Sequence, residues 1–385
     1  SGSVSISAVQ GIGGVGKTEL AREVARRMRG DFPDGQILVD MLGTTQPRDA
    51  RDAMTDVLKA LGQDEIQPDR LAGDYHGALD GRRILVLLDN LGDAEHIESL
   101  IPRPPAALLV TSRDELVLPG VEAIVLEKLA RPAAVALLQE LLQGLGDADA
   151  DALAELCCDL PLALRVAGSD PLVRRGSVAD YLDALQAERL AHLSKSARRA
   201  RRGDRDPMVV LGYSYERLAE SDPDLARAFT LLAVFPADFD IAGAAAVLDV
   251  TAAEAEETLV LLASRSLLQE PVPGRWRLHD LLRELAEARA VLSERQAAAA
   301  RHQGHYLALA TWCANEFNNV RVDVNRALAT FEAEQPNLTA AIDHAIAGGD
   351  LQPAALARIG TGLLDGALGR REDALRATEE AVDLY

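Results

Sequence analysis

The ten residues GIGGVGKTEL, Gly11 to Leu20, constrain this chain more than any other stretch. They fit G-x-x-x-x-G-K-[ST] through Gly11, Gly16, Lys17 and Thr18, and the short alternating apolar run VSISAVQ precedes them. Glycines let the backbone take positive φ and bring its N–H groups close to phosphate oxygens, while the following helix points its positive dipole end at the same anion. Leu20, Ala21, Val24, Ala25 and Met28 recur at helical spacing, so strand, loop and helix are all present. The stretch reads as a phosphate-binding loop of Gly11, Gly13, Gly14, Val15, Gly16, Lys17, Thr18 and Glu19. Lys17 would neutralise the β and γ phosphates and the Thr18 hydroxyl would sit on Mg²⁺. The alternative is a glycine-rich turn that binds nothing.

At 385 residues and 48% hydrophobic content the chain can bury more than one core. No apolar run approaches the ~20 residues that a membrane helix needs. The three cysteines, Cys157, Cys158 and Cys313, have no metal spacing and suit a reducing compartment, so a cytoplasmic protein is expected. Ser1-Gly2-Ser3 reads as a tag scar, which leads us to expect a missing natural N-terminus and upstream domain. A net charge of −20 opposes non-specific binding to nucleic acid. The basic run SARRARRGDR, Ser196 to Arg205, reads better as a solvated linker than as a nucleic-acid contact.

The first third alternates strands and helices, which predicts a mostly parallel sheet with helices on both faces. The strands are SISAV, QILVDM, RILVLLD, ALLVTS and a short fifth, EAIVLE; helices are expected at Leu20 to Met28, Ala50 to Leu61, Leu71 to Leu79 and Ala94 to Leu100. Such sheets hold ligands outside the carboxyl ends of the strands. One end carries Asp89, placed to hold the water shell of Mg²⁺ opposite Thr18, or else a simple helix cap or turn residue. Asn90 follows where many hydrolases have a second acid; it cannot take a proton, so slow turnover is expected. Another end carries Thr111, Ser112 and Arg113, an arginine able to reach a γ-phosphate, or else a surface residue paired with Asp114 or Glu115. The end after QILVDM carries Asp40 and the loop LGTTQP, with no firm role.

From about Ala130 the pattern turns helical. In DLPLAL, Pro161 interrupts an amphipathic run and is expected at the first turn of a new helix, beside an apolar surface able to pack on adenine. Between Asp206 and Ala290, helical patterns are followed by two short strands, SLLQEP and RWRLHD, the order of a winged helix. Its candidate recognition helix carries Glu254, Glu256 and Glu257 against only Arg265, the wrong sign for a phosphate backbone. Beyond Val291 the chain reads as helical hairpins, one of them beginning at QPNLTAAIDHAIAGGD, with C-terminal truncation expected at Tyr385.

GIGGVGKTEL, RILVLLDN, LLVTSRD, DLPLAL and WRLHD, in that order, resemble the signal-transduction ATPases with numerous domains (STAND) of the NB-ARC or apoptotic-ATPase type, and GRREDALRATEEAVDLY is similar to the tetratricopeptide repeats of bacterial members. The resemblance implies a multidomain chain: an α/β P-loop domain at 1–128, a helical domain at 129–203, a winged helix at 204–290 and helical repeats at 291–385. It further implies that Pro161 touches the adenine, Arg113 senses the γ-phosphate and His279 contacts the β-phosphate of ADP. Without it, His279 reads as a structural histidine at a strand end. Catalytic roles would fall to Lys17, Asp89 and Asn90, and Mg²⁺ to Thr18 and Asp89. Asp159, where family members usually have glycine, and Leu278, where methionine is common, depart from the pattern. The implied function is an ADP/ATP switch that opens to a homo-oligomer when its repeats sense a partner; the alternatives are a fast P-loop hydrolase and a DNA-binding regulator.

Overall fold

The computed structural model describes residues 6–45, 47–63, 66–92, 97–113, 122–174, 178–185, 207–318 and 324–384. The basic run at 196–205 lies outside them, as do Asp114 and Glu115.

Five strands, β1 (Ile6–Gln10), β2 (Gly35–Asp40), β3 (Ile84–Leu91), β4 (Ala107–Ser112) and β5 (Glu122–Val125), form the expected parallel sheet in the order β2-β3-β4-β1-β5. Alternation along β3 explains both layers. Ile84, Val86 and Leu88 face a core with α2 (Ala50–Ala60) and α3 (Leu71–Leu79), while Leu85 and Leu87 face Ala21 and Ala25 of α1 (Lys17–Arg27). Of the helix expected at Ala94 to Leu100, the described residues show a 3₁₀ turn, Ile97–Leu100, that buries Ile97 and Leu100; residues 94–96 lie outside them.

The loop after β2 is pinned to the end of β3. Gly43 donates to the Asn90 carbonyl at 2.8 Å, and a Cβ on Gly43 would lie 2.2 Å from the backbone nitrogen of Gly92. Backbone cannot yield as a side-chain tip can, so only glycine fits.

Helices α4 (Arg131–Leu141), α5 (Asp147–Leu156), α6 (Pro161–Gly168), α7 (Pro171–Arg174) and α8 (178–185) share a core into which Val15 of the phosphate loop also packs. Then come α9 (Pro207–Ser221), α10 (Pro223–Leu231), α11 (Ile241–Leu248) and α12 (Ala252–Ser264), followed by the antiparallel pair β6 (Gln269–Val272) and β7 (Arg275–Arg277) and by α13 (Asp280–Arg289). Four longer helices follow: α14 (Leu292–Asn318), α15 (Val324–Gly348), α16 (Leu351–Ala367) and α17 (Arg371–Leu384). One apolar core runs without a break from Phe229 and Phe235 through Leu282 and Tyr306 to Leu364. No helix among the described residues is long and apolar enough to cross a membrane.

The helix expected to begin at Gln335 begins at Val324 and carries Pro336 inside it. A proline there costs about 3 kcal/mol and removes one helical bond. Burial of Phe331, Leu338, Ala341 and Ile342 offsets this, as does the pairing of Glu334 with Arg275 of β7. Asn337 strengthens the join by donating to the Asp238 carbonyl at 2.9 Å.

Two outcomes are expected. Gly43→Ala should lower unfolding free energy by about 1–3 kcal/mol in urea titrations, the usual cost of forced overpacking. His302 is 3% exposed, and burial pushes its imidazole down to about 3. An unfolded histidine protonates near pH 6.5, so this contribution is complete above that value and drains below it, by up to about 1.4 kcal/mol per pH unit. Unfolding titrations at a series of pH values should show a shallower acid-side loss for His302→Phe than for the parent.

Candidate nucleotide-binding site

The loop after β1 turns through Gly11, Gly14 and Gly16, all at positive φ (147°, 75° and 100°). Gly16 is the residue before α1, so the first N–H groups of that helix are directed at the loop's concavity. Gly14 shows why a side chain is excluded: its Cβ would sit 3.0 Å from Leu162 and 3.2 Å from Leu281. Leu162 belongs to α6 and Leu281 to α13, so two distant elements close on this backbone. The Leu162 N–H also donates to the Gly14 carbonyl at 3.3 Å.

Lys17 Nζ donates to the carbonyls of Gly11 (2.6 Å) and Ile12 (3.0 Å). Burial, reinforced by the nearby Arg113 charge, lowers its pKa to about 8 against the pull of Asp89 and Asp280. Thr18 Oγ1 donates to Asp89 Oδ1 at 2.8 Å, and Thr111 Oγ1 donates to the same oxygen at 2.5 Å. Asp89, 5% exposed, is thus fixed by two hydroxyls, one from the first turn of α1 and one from the end of β4. Thr111 carries no role in the sequence reading, although it sits at one of the inspected strand ends. The adjacent Asn90 has φ 57°; its N–H donates to Thr111 Oγ1 at 2.9 Å and its amide to Thr44 Oγ1 at 3.4 Å.

Pro161 is the first residue of α6, as its missing N–H requires. Asp159 just before it has φ 56°, which explains a preference for glycine here, and Arg131 Nε anchors its carboxylate at 2.6 Å. Val15 and Glu19 offer only backbone to the loop. The Val15 side chain is buried in the helical core, and the exposed Glu19 carboxylate lies 4.0 Å from Arg22.

Arg113 pairs with Asp280 at 2.9 Å and Glu284 at 3.0 Å, both on α13; the alternative partners Asp114 and Glu115 lie outside the described residues. His279 caps α13: its Nδ1 accepts from the Leu281 N–H at 3.2 Å. That bond assigns the proton of the neutral ring to Nε2, leaving an N–H donor on the other side. Burial pushes His279 down to about 4, and Arg113, Arg277 and Lys17 act the same way against Asp280. The ring is therefore neutral near pH 7. Burial works against the Asp280 carboxylate, yet Arg113 and His279 outweigh it and hold its pKa below the ordinary value.

The structure thus brings Gly11, Gly13, Gly14, Gly16, Lys17, Thr18, Asp89, Asn90, Arg113, Pro161 and His279 to one region. Sequence reasoning missed the α13 carboxylates; the signal was Asp280 itself, the last letter of WRLHD. The donor set fits a nucleotide phosphate: a cradle too tight for side chains, an ammonium and an N–H donor. It also fits Mg²⁺, which takes one or two protein oxygens plus phosphates rather than a protein cage, and no cluster of three or more metal-ligating side chains occurs among the described residues.

Residues 1–141 match the NB-ARC domain. The regulatory protein AfsR of Streptomyces coelicolor is 39% identical over 314 residues, covering 78% of this chain and 31% of that protein. The regulatory protein AfsR of Streptomyces griseus is 38% identical over 325 residues, covering 80% and 32%. The chain therefore spans about a third of the length of the curated relatives it matches. Among solved structures, a STAND protein with a tetratricopeptide repeat sensor from Pyrococcus horikoshii is similar over 98% of this chain and 56% of that one, with a TM-score of 0.57. At 15% identity, that likeness shows the fold alone.

Lys17→Ala should abolish nucleotide retention. Chromatography of nucleotide released on denaturation checks this, and a variant that still copurifies with stoichiometric ADP contradicts the assignment of the loop.

Proposed function

We propose, from the premise that this chain is an NB-ARC protein of the bacterial STAND type, that it is a molecular switch governed by exchange of ADP for ATP. The phosphate-loop unit at 1–128, the helical unit at 129–203 and the winged-helix unit at 204–290 would enclose the nucleotide, with 291–385 serving as the sensing repeats.

The observation that carries this reading is the pairing of Arg113 with Asp280 and Glu284. Arg113 stands at the end of β4, where a γ-phosphate would call on the same guanidinium. While α13 holds it, the closed arrangement and a triphosphate compete for one cation. A diphosphate makes no such demand. Lys17 and the neutral His279 Nε2–H would then grip the β-phosphate from opposite sides, and Pro161 would lie against the adenine.

A ligand moves such an equilibrium only by its differential affinity for the two states. Passing from nearly all closed to nearly all open takes about a 10⁴-fold preference, so nucleotide and sensor input would act together. Asn90 is committed to Thr44 and Thr111 and cannot serve as a base, which favours slow hydrolysis by a regulator over fast turnover. The name of the Streptomyces relatives supports regulation, and the tetratricopeptide repeat sensor of the archaeal protein supports a sensing role for α14 to α17. A monomer in the ADP form, a homo-oligomer in the ATP form and a cytoplasmic location complete the proposal. Glu254, Glu256 and Glu257 lie exposed along α12, so DNA binding through that helix is disfavoured.

His279→Ala should speed ADP release and enlarge the ATP-bound assembly, read by fluorescent-nucleotide chase and by light scattering. Unchanged release removes His279 from the site, and steady-state turnover well above about one per second points to an ordinary enzyme instead.

A further inference from the structure

Asp40 is the last residue of β2 and stands in register with Asp89 of β3, yet nothing in the nucleotide-binding reading uses it. Its surroundings are built. Its Oδ1 accepts from the Leu42 N–H at 2.9 Å, and its carbonyl accepts from Arg48 Nη1 at 3.1 Å. The Met41 N–H donates to the Asp89 carbonyl at 2.8 Å, so the carboxylate stands on a platform tied to the sheet. Oδ2 takes a hydrogen bond from Arg277 Nη1.

Arg277 ends β7, two residues before His279 and three before Asp280. His279 has extended backbone, φ −64° and ψ 143°, so little slack separates the arginine from the imidazole. The pair is half-shielded, at 21% and 31% side-chain exposure. A third group raises the demand on Asp40: the Arg283 side chain is buried, and its Nε and Nη2 have no hydrogen-bond partner among the described residues. Burial pushes Arg283 down to about 10; Arg277 acts in the same direction, and Asp280 and Asp40 oppose it. Without the Asp40 charge, Arg277 would lose its hydrogen-bonded carboxylate and keep only the longer-range pull of Asp280 and Asp89, and Arg283 would lose one of the carboxylates that oppose its neutralisation.

We propose that Asp40 is a positioning residue for the nucleotide switch: through Arg277 it seats the β7–α13 segment on the ends of the sheet and so sets His279 against the phosphate loop. This rests on the reading of His279 as a phosphate contact. An exposed ion pair of this kind usually contributes little. This one differs in where its displacement is felt, because the chain carries it into His279 and Asp280 within three residues.

The test is the release of N-methylanthraniloyl-ADP from the full chain. Asp40→Asn keeps the acceptor for Leu42 and removes the charge, while Arg277→Gln removes the other partner. Each should speed release about tenfold, the scale of a lost hydrogen bond between charged groups. The double variant should match either single one, since both remove the same contact. In a His279→Ala background Asp40→Asn should add nothing, a result that a merely structural role would not produce. If His279→Ala alone speeds release while Asp40→Asn stays within about twofold of the parent, or if the two effects multiply, the proposal is overturned by itself. If His279→Ala changes nothing, the reading of the site falls and this proposal with it.

Discussion

Leu281 at the start of α13 presses on the backbone of Gly13 and Gly14, and Leu162 at the start of α6 presses on Gly14, so the loop that ends β1 is where three parts of the chain meet. That contact is apolar and backbone-deep. It leaves the polar face of the loop to a ligand and makes the loop's shape depend on elements nearly 150 and 270 residues away in sequence. A side chain on either glycine would part those elements. The glycines therefore serve closure as much as phosphate binding.

Around this contact the charges are dense and largely matched across the cleft. Lys17, Arg113 and Arg277 converge with Asp40, Asp89 and Asp280, and most of these groups are partly buried. Charges withdrawn from water are costly unless paired, so the cluster is stable only while the partners from α13 and the strand ends stay together. Such a site responds to an added anion by redistribution of pairs, which is the property a nucleotide-governed switch requires.

The segment that closes the site is rigidly coupled to the long helices. A single apolar core joins α10 and α13 to α14 and α16, and Arg275 of β7 pairs with Glu334 of α15. On the far side Lys59 of α2 pairs with Glu332. In the proposed switch, a displacement of α15 away from α2 would therefore act on β7, and β7 leads directly to His279.

The local pattern of the residues determined much of this. The phosphate loop, the two-faced alternation along β3, the helix start at Pro161 and the short fifth strand follow from periodicity, glycine placement and proline chemistry, which act over a few residues. Local reasoning also misleads at one helix. Sequence pattern starts at Gln335 the helix that in fact starts at Val324, because the cost of Pro336 inside a helix is visible in sequence while the buried Phe331 and Glu334 that offset it are not. The partners of Arg113 and of Asp40 were decided only by the tertiary structure. Each is a charge whose counterpart lies more than 160 residues away, and Coulomb energy depends on distance in space, to which spacing along the chain gives no access.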